Sequence, residues 1–329
     1  MHCTGNNKVD IRETTKPEMD DKHVILKVMA SALCGTELGS FKSGLSDGPY
    51  NTGHEVVGII ESAPSGSKYK PGMRVGACVV QGCGTCEYCL AERETACGNK
   101  SFFAVNAHAE YFKLGLNGVR VLPDDIDWPE AVILSGDGLG VPARAARRLG
   151  DTSGAKILVV GLGPVGQGNV LVQAFNGARV MGVDLCEYRT ALALANGAEK
   201  VVNPNSVDLK QAVMDWTGNK GVDIVILAVG KAEVLRSTVE LVKHQGTIFQ
   251  VAEFTQAEIN PSAMFVQKEL TMTGSWYYTS KDWKLMQDYY SRGLPINKLI
   301  THVIPFDEAQ KAVDSFVSGN SGKVVLKYY

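Results

Sequence analysis

The chain has no long apolar run, and none of its hydrophobic segments approaches the roughly 18 residues a membrane span requires. Its first residues, MHCTGNNKVDIRE, contain no apolar stretch of the kind a secretory signal carries. Basic charge is not in excess either. The 33 Lys and Arg against 35 Asp and Glu give a formal net charge of -2, which leaves no broad cationic surface for a phosphate backbone. Neither nucleic acid nor a membrane is therefore expected as a partner, a small molecule is, and the expected location is cytoplasmic. Sequence repeats, low-complexity tracts and long linkers are missing as well, so a solenoid or a largely disordered chain is excluded. Cysteine is scarce: 8 residues in 329 are too few for a disulfide scaffold.

The cysteines that are present are unevenly placed. Cys83, Cys86, Cys89 and Cys97 follow the spacing C-x2-C-x2-C-x7-C, with Gly82 and Gly84 flanking Cys83 and Gly98 following Cys97. Four thiolates on tight turns can close a tetrahedron around one zinc ion, and with every position filled by protein such a site is structural. Free thiols or an iron–sulfur cluster are the alternatives for the same ligand type. Cys3, Cys78 and Cys186 lack such company and read as a tail residue and two small packed residues.

An apolar content of 45% with 21% charged residues is ordinary for a globular chain, and this length accommodates two cores. The pattern divides accordingly. Up to about residue 137 there are short β-rich runs such as VILKV and EVVGII, cut by clusters such as PSGSKYKPG, which suggests an antiparallel, loop-rich fold. From Lys156 strands and helices alternate: KILVVG, a helix from Pro164, ARVMGVD, a helix over 187–196, KVV, a helix over 209–216, DIVILAVG, a helix over 233–242, GTIFQV and ELTMTGS. This succession implies a parallel sheet with helices on both faces. The last segment, from residue 277, ends in the strand-like KVVLKY.

GLGPVG places Gly161, Gly163 and Gly166 between a strand and a helix, and Asp184 closes the next strand. A dinucleotide needs this arrangement. Gly161 permits the turn, Gly163 lets the backbone approach a pyrophosphate, Gly166 lets helix and strand pack closely, and the helix N-terminus that opens at Pro164 offers free N–H groups from Val165 onward. Asp184 can accept from both adenosine ribose hydroxyls and would repel a 2′-phosphate, so NAD is expected rather than NADP. Arg189 reads as an adenine neighbour or a helix-face charge. Val229 and Val251, in AVG and QVAEF, follow strands at their carboxyl ends, either beside the nicotinamide half or as ordinary strand-end packing.

A second constellation begins at Cys34 in ALCGTEL and continues at His54 in TGHEVVGII. Taken singly, such residues are more often packing groups than ligands. The order CGTE, GHE, four-cysteine lobe and GLGPVG with its distal Asp resembles the zinc-dependent medium-chain dehydrogenase/reductase family over almost the whole chain. ILSGDGLGVPARAARRLG is closest to the polyol and threonine dehydrogenase branch. The resemblance implies an α/β protein: a doubly wound Rossmann sheet over 139–276, and a β-rich GroES-like catalytic domain over 1–138 and 277–329 that carries a structural zinc lobe at 81–98. It implies Cys34 and His54 as ligands of a catalytic zinc, and Asp137 and Glu55 as the acidic groups beside it, directly or through water. No cysteine lies between Cys97 and Cys186 to serve as a second thiolate. Asp137 could instead cap the helix that begins near Val141. Glu37 matches a family Asp that orients the ligand histidine.

The chain also departs from the family pattern. Many relatives carry a histidine five residues after the first ligand cysteine, where this chain has Gly39. Tyr277 precedes Tyr278 where sorbitol-handling relatives have an Arg–Tyr pair, and Arg144 stands near a position often held by His. The expected activity is hydride transfer between a secondary alcohol (polyol, cyclitol, aminocyclitol or amino alcohol) and NAD. A zinc with one open position would polarise the alcohol, and the Thr36 hydroxyl would carry its proton away. A carbonyl reductase working in the opposite direction is the alternative, and a non-catalytic zinc- and NAD-binding relative the other. Two zinc ions per chain are expected. So is a homodimer or homotetramer, because ELTMTGS is an apolar strand at the edge of a sheet.

Overall fold

The computed structural model describes residues 1–46, 50–102, 106–253 and 256–329. In chain order the strands that matter are β1 (His23–Ala32), β2 (Glu55–Ser62), β3 (Arg74–Ala77), β4 (Tyr111–Gly115), β5 (Val119–Val121), β6 (Lys156–Val160), β7 (Arg179–Val183), β8 (Lys200–Val202), β9 (Val222–Leu227), β10 (Val242–Gln250), β11 (Thr271–Gly274), β12 (Ile300–Pro305) and β13 (Lys323–Lys327). The helices are α1 (Trp128–Ser135), α2 (Asp137–Leu149), α3 (Pro164–Phe175), α4 (Glu187–Ala195), α5 (Leu209–Thr217) and α6 (Ala232–Val239). Two compact units result, Met1–Gly140 with Tyr277–Tyr329, and Val141–Trp276.

In the first unit a seven-stranded sheet runs β12-β13-β1-β2-β3-β5, with β4 also paired to β1. Its ladders are antiparallel except for β12 with β13, a parallel pair that the antiparallel expectation did not include. β1 is the hub. Its first half pairs with β4 from His23↔Gly115 to Lys27↔Tyr111, and its last residues meet β13 at Ala32↔Val325 and β2 at Ala32↔Glu55. That register lays the end of β1, the start of β2 and the start of β13 side by side. Leu33, Phe41, Val313, Phe316, Val324 and Leu326 belong to one of this unit's apolar clusters.

The second unit holds a six-stranded, wholly parallel sheet in the order β8-β7-β6-β9-β10-β11. Numbered within the unit this is 3-2-1-4-5-6, the doubly wound order whose ligand crevice lies at the carboxyl ends of the first and fourth strands. Four of the five residues of β6 are buried, as a strand covered on both faces requires. Separate clusters, one with Leu158, Val183 and Trp216 and the other with Ile157, Val170 and Phe249, form the core on the two faces. No helix among the described residues is long and apolar enough to cross a membrane.

Candidate active site

Two groups of metal-ligating side chains converge, both within the first unit. In the cysteine lobe the Sγ atoms of Cys83, Cys86, Cys89 and Cys97 lie within 4.8 Å of one another. Cys86 and Cys89 are 3.5 Å apart and Cys83 and Cys89 3.9 Å. A tetrahedron with Zn–S bonds of about 2.3 Å has edges of about 3.8 Å, so these separations fit a single ion. Hydrogen bonds from Thr85 hold the Cys83 thiol down to about 6, while burial and the neighbouring sulfurs push Cys89 up to about 12. Four crowded sulfurs cannot all ionise unaided, and a divalent cation removes that conflict. The lobe is tight: a Cβ at Gly82 would meet Cys89 Sγ at 2.3 Å.

The second group is Cys34, His54, Glu55 and Asp137, all buried, with ligand atoms also within 4.8 Å of one another. The sheet register explains their meeting. Cys34 follows β1 and opens a short 3-10 turn over Gly35–Glu37, His54 precedes β2, and Glu55 is its first residue. Asp137 is the first residue of α2. It belongs to the helix, and its side chain faces the cysteine and the histidine: Oδ2 lies 3.3 Å from His54 Nε2 and 3.7 Å from Cys34 Sγ. Ideal tetrahedral zinc bonds give about 3.3 Å for the N···O edge and about 3.5 Å for S···O. The other oxygen, Oδ1, is buried without a hydrogen-bond partner. Such an atom is costly unless a cation or a proton occupies the space before it.

Glu55 is engaged elsewhere. Its Oε2 accepts the Asp137 N–H at 3.2 Å, and its Oε1 pairs with the Lys323 ammonium. Lys323 is 1% exposed and also donates to the Leu33 carbonyl at 3.2 Å. Burial pushes the Glu55 carboxyl up to about 7 despite that ammonium. For Lys323 burial favours the neutral form, but Glu55, Cys34 and Asp137 outweigh it and hold the amine above its usual range.

Glu37 makes no hydrogen bond to His54, the histidine expected as a ligand. His54 Nδ1 bonds the Thr52 carbonyl at 2.9 Å, which puts the proton on Nδ1 and leaves Nε2 free as a ligand. Glu37 instead accepts the Cys34 N–H at 2.9 Å and pairs with His108 Nε2, also at 2.9 Å. Burial alone would raise this carboxyl, but His108 and the Cys34 N–H hold it below the usual range. Thr36 is exposed in the 3-10 turn. Tyr277 and Tyr278 are buried; the first accepts the Val79 N–H at 3.3 Å and the second donates to the Ser135 carbonyl at 2.6 Å.

In the second unit Gly163 caps α3, Pro164 is its first residue, Val165 follows, and the space beside Gly163 is open. Gly161 has φ +90, and a Cβ at Gly166 would meet the Gly161 carbonyl oxygen at 1.9 Å, so the first turn of α3 packs on the loop only without a side chain there. Asp184 Oδ2 accepts the Leu162 N–H at 2.7 Å and Oδ1 the Cys186 N–H at 2.9 Å. Arg189 is half-buried, with its carbonyl held by Gln167 at 2.8 Å. Val229 and Val251 follow β9 and β10, both half-buried. Phe254 of QVAEF lies outside the described residues.

Residues 20–124 match the alcohol dehydrogenase GroES-like domain family and residues 164–292 the zinc-binding dehydrogenase family. The chain is 30% identical to an L-threonine 3-dehydrogenase of Anaeromyxobacter sp. (strain Fw109-5), with 97% of this chain and 95% of that protein covered. It belongs to the zinc-dependent medium-chain alcohol dehydrogenases. Within them it sits in the threonine and polyol dehydrogenase branch. A sorbitol dehydrogenase of Bacillus subtilis (strain 168) is 27% identical over 95% of this chain and 91% of its own length. An alcohol dehydrogenase of E. coli CFT073, solved with NADH, shares the fold with a TM-score of 0.87 at 24% identity, covering 99% of this chain and 98% of that one. The protein is accordingly an alcohol or polyol dehydrogenase with small-molecule alcohol substrates.

Two residues that matter in this geometry, Lys323 and His108, were not singled out from the sequence. A lysine opening the apolar run KVVLKY was the available signal for the first. A histidine three residues before a strand, in AHAEY, was a weaker one for the second.

Proposed function

We propose that this chain oxidises a secondary alcohol of the polyol or amino-alcohol class with NAD, its zinc held by Cys34, His54 and Asp137. The observation that carries the reading is Asp137: a buried carboxylate whose Oδ2 faces a thiol and an imidazole at near-ligand distances while Oδ1 has no partner. Three protein ligands leave one position open, and a bound zinc supplies the Lewis acidity that lowers the alcohol pKa. Glu55 is not a direct ligand in this reading, because the Asp137 N–H and Lys323 already occupy its oxygens. The exposed Thr36 hydroxyl accepts the alcohol proton and passes it to water, which replaces the relay histidine missing at Gly39.

NAD supplies the hydride acceptor. In the second unit Gly161, Gly163 and Gly166 shape the pyrophosphate loop, Pro164 opens the helix, the Val165 and Gly166 N–H groups face the anion, and Asp184 receives the adenosine ribose. Its carboxylate, already fixed by two backbone N–H groups, favours NAD over NADP. Arg189 flanks the adenine, and Val229 and Val251 line the nicotinamide half. Cys83, Cys86, Cys89 and Cys97 bind a second, structural zinc. β11 stands at the open edge of the parallel sheet and pairs with a second copy, giving a homodimer or homotetramer. The test is a panel of polyols, cyclitols, aminocyclitols and amino alcohols, L-threonine and sorbitol among them, read by NADH absorbance in both directions. Turnover that needs NAD and disappears in Cys34→Ser supports the reading. Turnover surviving that substitution overturns it.

A further inference from the structure

Behind the ligand turns of the first unit lies a line of fully buried polar groups that the hydride chemistry does not use. His108, Glu37 and Ser31 are each 0% exposed. His108 Nε2 is 2.9 Å from Glu37 Oε2, His108 Nδ1 is 2.8 Å from Ser31 Oγ, and Ser31 Oγ is 2.9 Å from Tyr328 OH. One donor direction satisfies every group: Tyr328 donates to Ser31, Ser31 to Nδ1 of a neutral imidazole, and Nε2–H to the Glu37 carboxylate, whose other oxygen takes the Cys34 N–H. His108 thus holds the Cys34 turn through Glu37.

Residue 108 meets the His54 turn as well, through main-chain hydrogen bonds to Asn51 and through the packing of the imidazole on Gly53. The Asn51 side-chain oxygen accepts from both the Gly53 N–H at 3.1 Å and the His108 N–H at 3.2 Å, and the Asn51 amide donates to the His108 carbonyl at 3.3 Å. The imidazole lies against Gly53, where a Cβ would meet its Cδ2 at 2.5 Å. We propose that the His108 side chain is a positioning group for the catalytic zinc, bracing the Cys34 turn through its bond to Glu37 and packing against Gly53 of the His54 turn. The proposal rests on Cys34, His54 and Asp137 being the ligands.

Zinc release from the holoenzyme to a chromogenic chelator tests it, together with the thiolate charge-transfer band of the cobalt-substituted protein. Two release phases are expected, one abolished by Cys34→Ser and the other by Cys89→Ser. His108→Leu should speed the first by about 10- to 100-fold, the usual effect of losing a group that orients a ligand, broaden the cobalt band, and leave the second phase unchanged. His108→Gln, whose amide can donate to Glu37 and accept from Ser31, should return the rate to within about threefold of wild type. A folded His108→Leu protein with unaltered release overturns the proposal, and so do Leu and Gln variants equally fast. Should His108→Leu fail to fold, Ser31→Ala and Tyr328→Phe decide: acceleration of the first phase supports the brace, and no change in either removes it. If Cys34→Ser itself leaves both phases intact, the ligand assignment has failed independently of His108.

Discussion

Replacing Lys323 by Met removes the cation from a buried pair and leaves the Glu55 carboxyl facing only the Asp137 N–H. Deleting one partner of a buried ion pair costs about 3–5 kcal/mol. At about 2–4 °C per kcal/mol for units of this size, the melting temperature should fall by about 6–20 °C. The loss should depend on pH. Glu55 already has its carboxyl raised from 4.5 to about 7 by burial, and without the lysine's opposing pull it rises further. A carboxyl raised in the folded state contributes stability below its unfolded pKa and loses it as pH rises through the folded value. The wild-type protein stops losing stability from this group a little above pH 7, whereas the variant goes on losing it. The difference between them should therefore be smallest near pH 6 and grow above pH 7 by up to about 1.4 kcal/mol per unit. Thermal unfolding of the metal-free proteins at pH 6.0 and 8.5 measures this, with Lys323→Met/Glu55→Gln as the rescue. Equal destabilisation at both pH values, or no recovery in the double variant, would refute the ion-pair argument and leave only lost packing.

Cys89→Ser should lower thermal stability and zinc content by one ion per chain while the remaining ion still supports turnover; normal stability with abolished chemistry would reverse the assignment of the two metal groups. Asp184→Gly should narrow or invert the ratio of kcat/KM for NAD over NADP, and a native enzyme that already prefers NADP would show the carboxylate to be misread. Asp137→Ala should lower zinc occupancy and turnover together while NAD affinity, measured by fluorescence titration, stays near wild type. Full zinc with full turnover would make Asp137 a structural residue of α2 alone.

The parallel unit was legible because its constraints are local: apolar strands, the glycine loop and Asp184 each sit inside one βαβ segment, where spacing alone fixes the geometry. The cysteine lobe was legible for the same reason. The second ligand group was different, since Cys34, His54 and Asp137 are far apart in the chain and singly look like packing residues. It took the resemblance to bring them together on paper; in space the pairing of β1 with β2 brings Cys34 beside His54, and the bond of the Asp137 N–H to Glu55 brings the start of α2 to them. Lys323 and His108 escaped because their partners, Glu55 and Glu37, are far away in sequence and a lone charge beside a strand has many ordinary uses. Glu37 was misassigned for a related reason. Its backbone position matches the family Asp, but its carboxylate takes the Cys34 N–H and His108, and the Thr52 carbonyl is left to fix His54.

In the proposed site, charge balance favours the shorter carboxylate as the ligand and leaves the longer one aside. The buried set comprises the Cys34 thiolate, neutral His54, the Asp137 and Glu55 carboxylates and the Lys323 ammonium. A zinc ion brings the total to zero, with Cys34 and Asp137 balancing the metal and Glu55 balancing the lysine. Were Glu55 to turn to the metal, Lys323 would be left as an unpaired ammonium in the interior, at a cost of several kcal/mol, and the Asp137 N–H would lose its acceptor. A Cβ at Gly136 would come within 2.4 Å of Glu55 Oε2, so a glycine there is what lets that carboxylate reach the Asp137 N–H. Glu55 thereby anchors the first turn of α2 and brings Asp137 close enough for a side chain one methylene shorter to reach the ligand position. The same accounting predicts that Asp137→Glu, which restores the length, should bind zinc less well than the wild-type residue: the extra methylene has to fit between a backbone pinned by Glu55 and a metal already at Asp distance. Zinc affinity measured by competition with a chelator decides it, and a variant that binds as tightly as wild type would show that the Glu55 anchor does not set the reach.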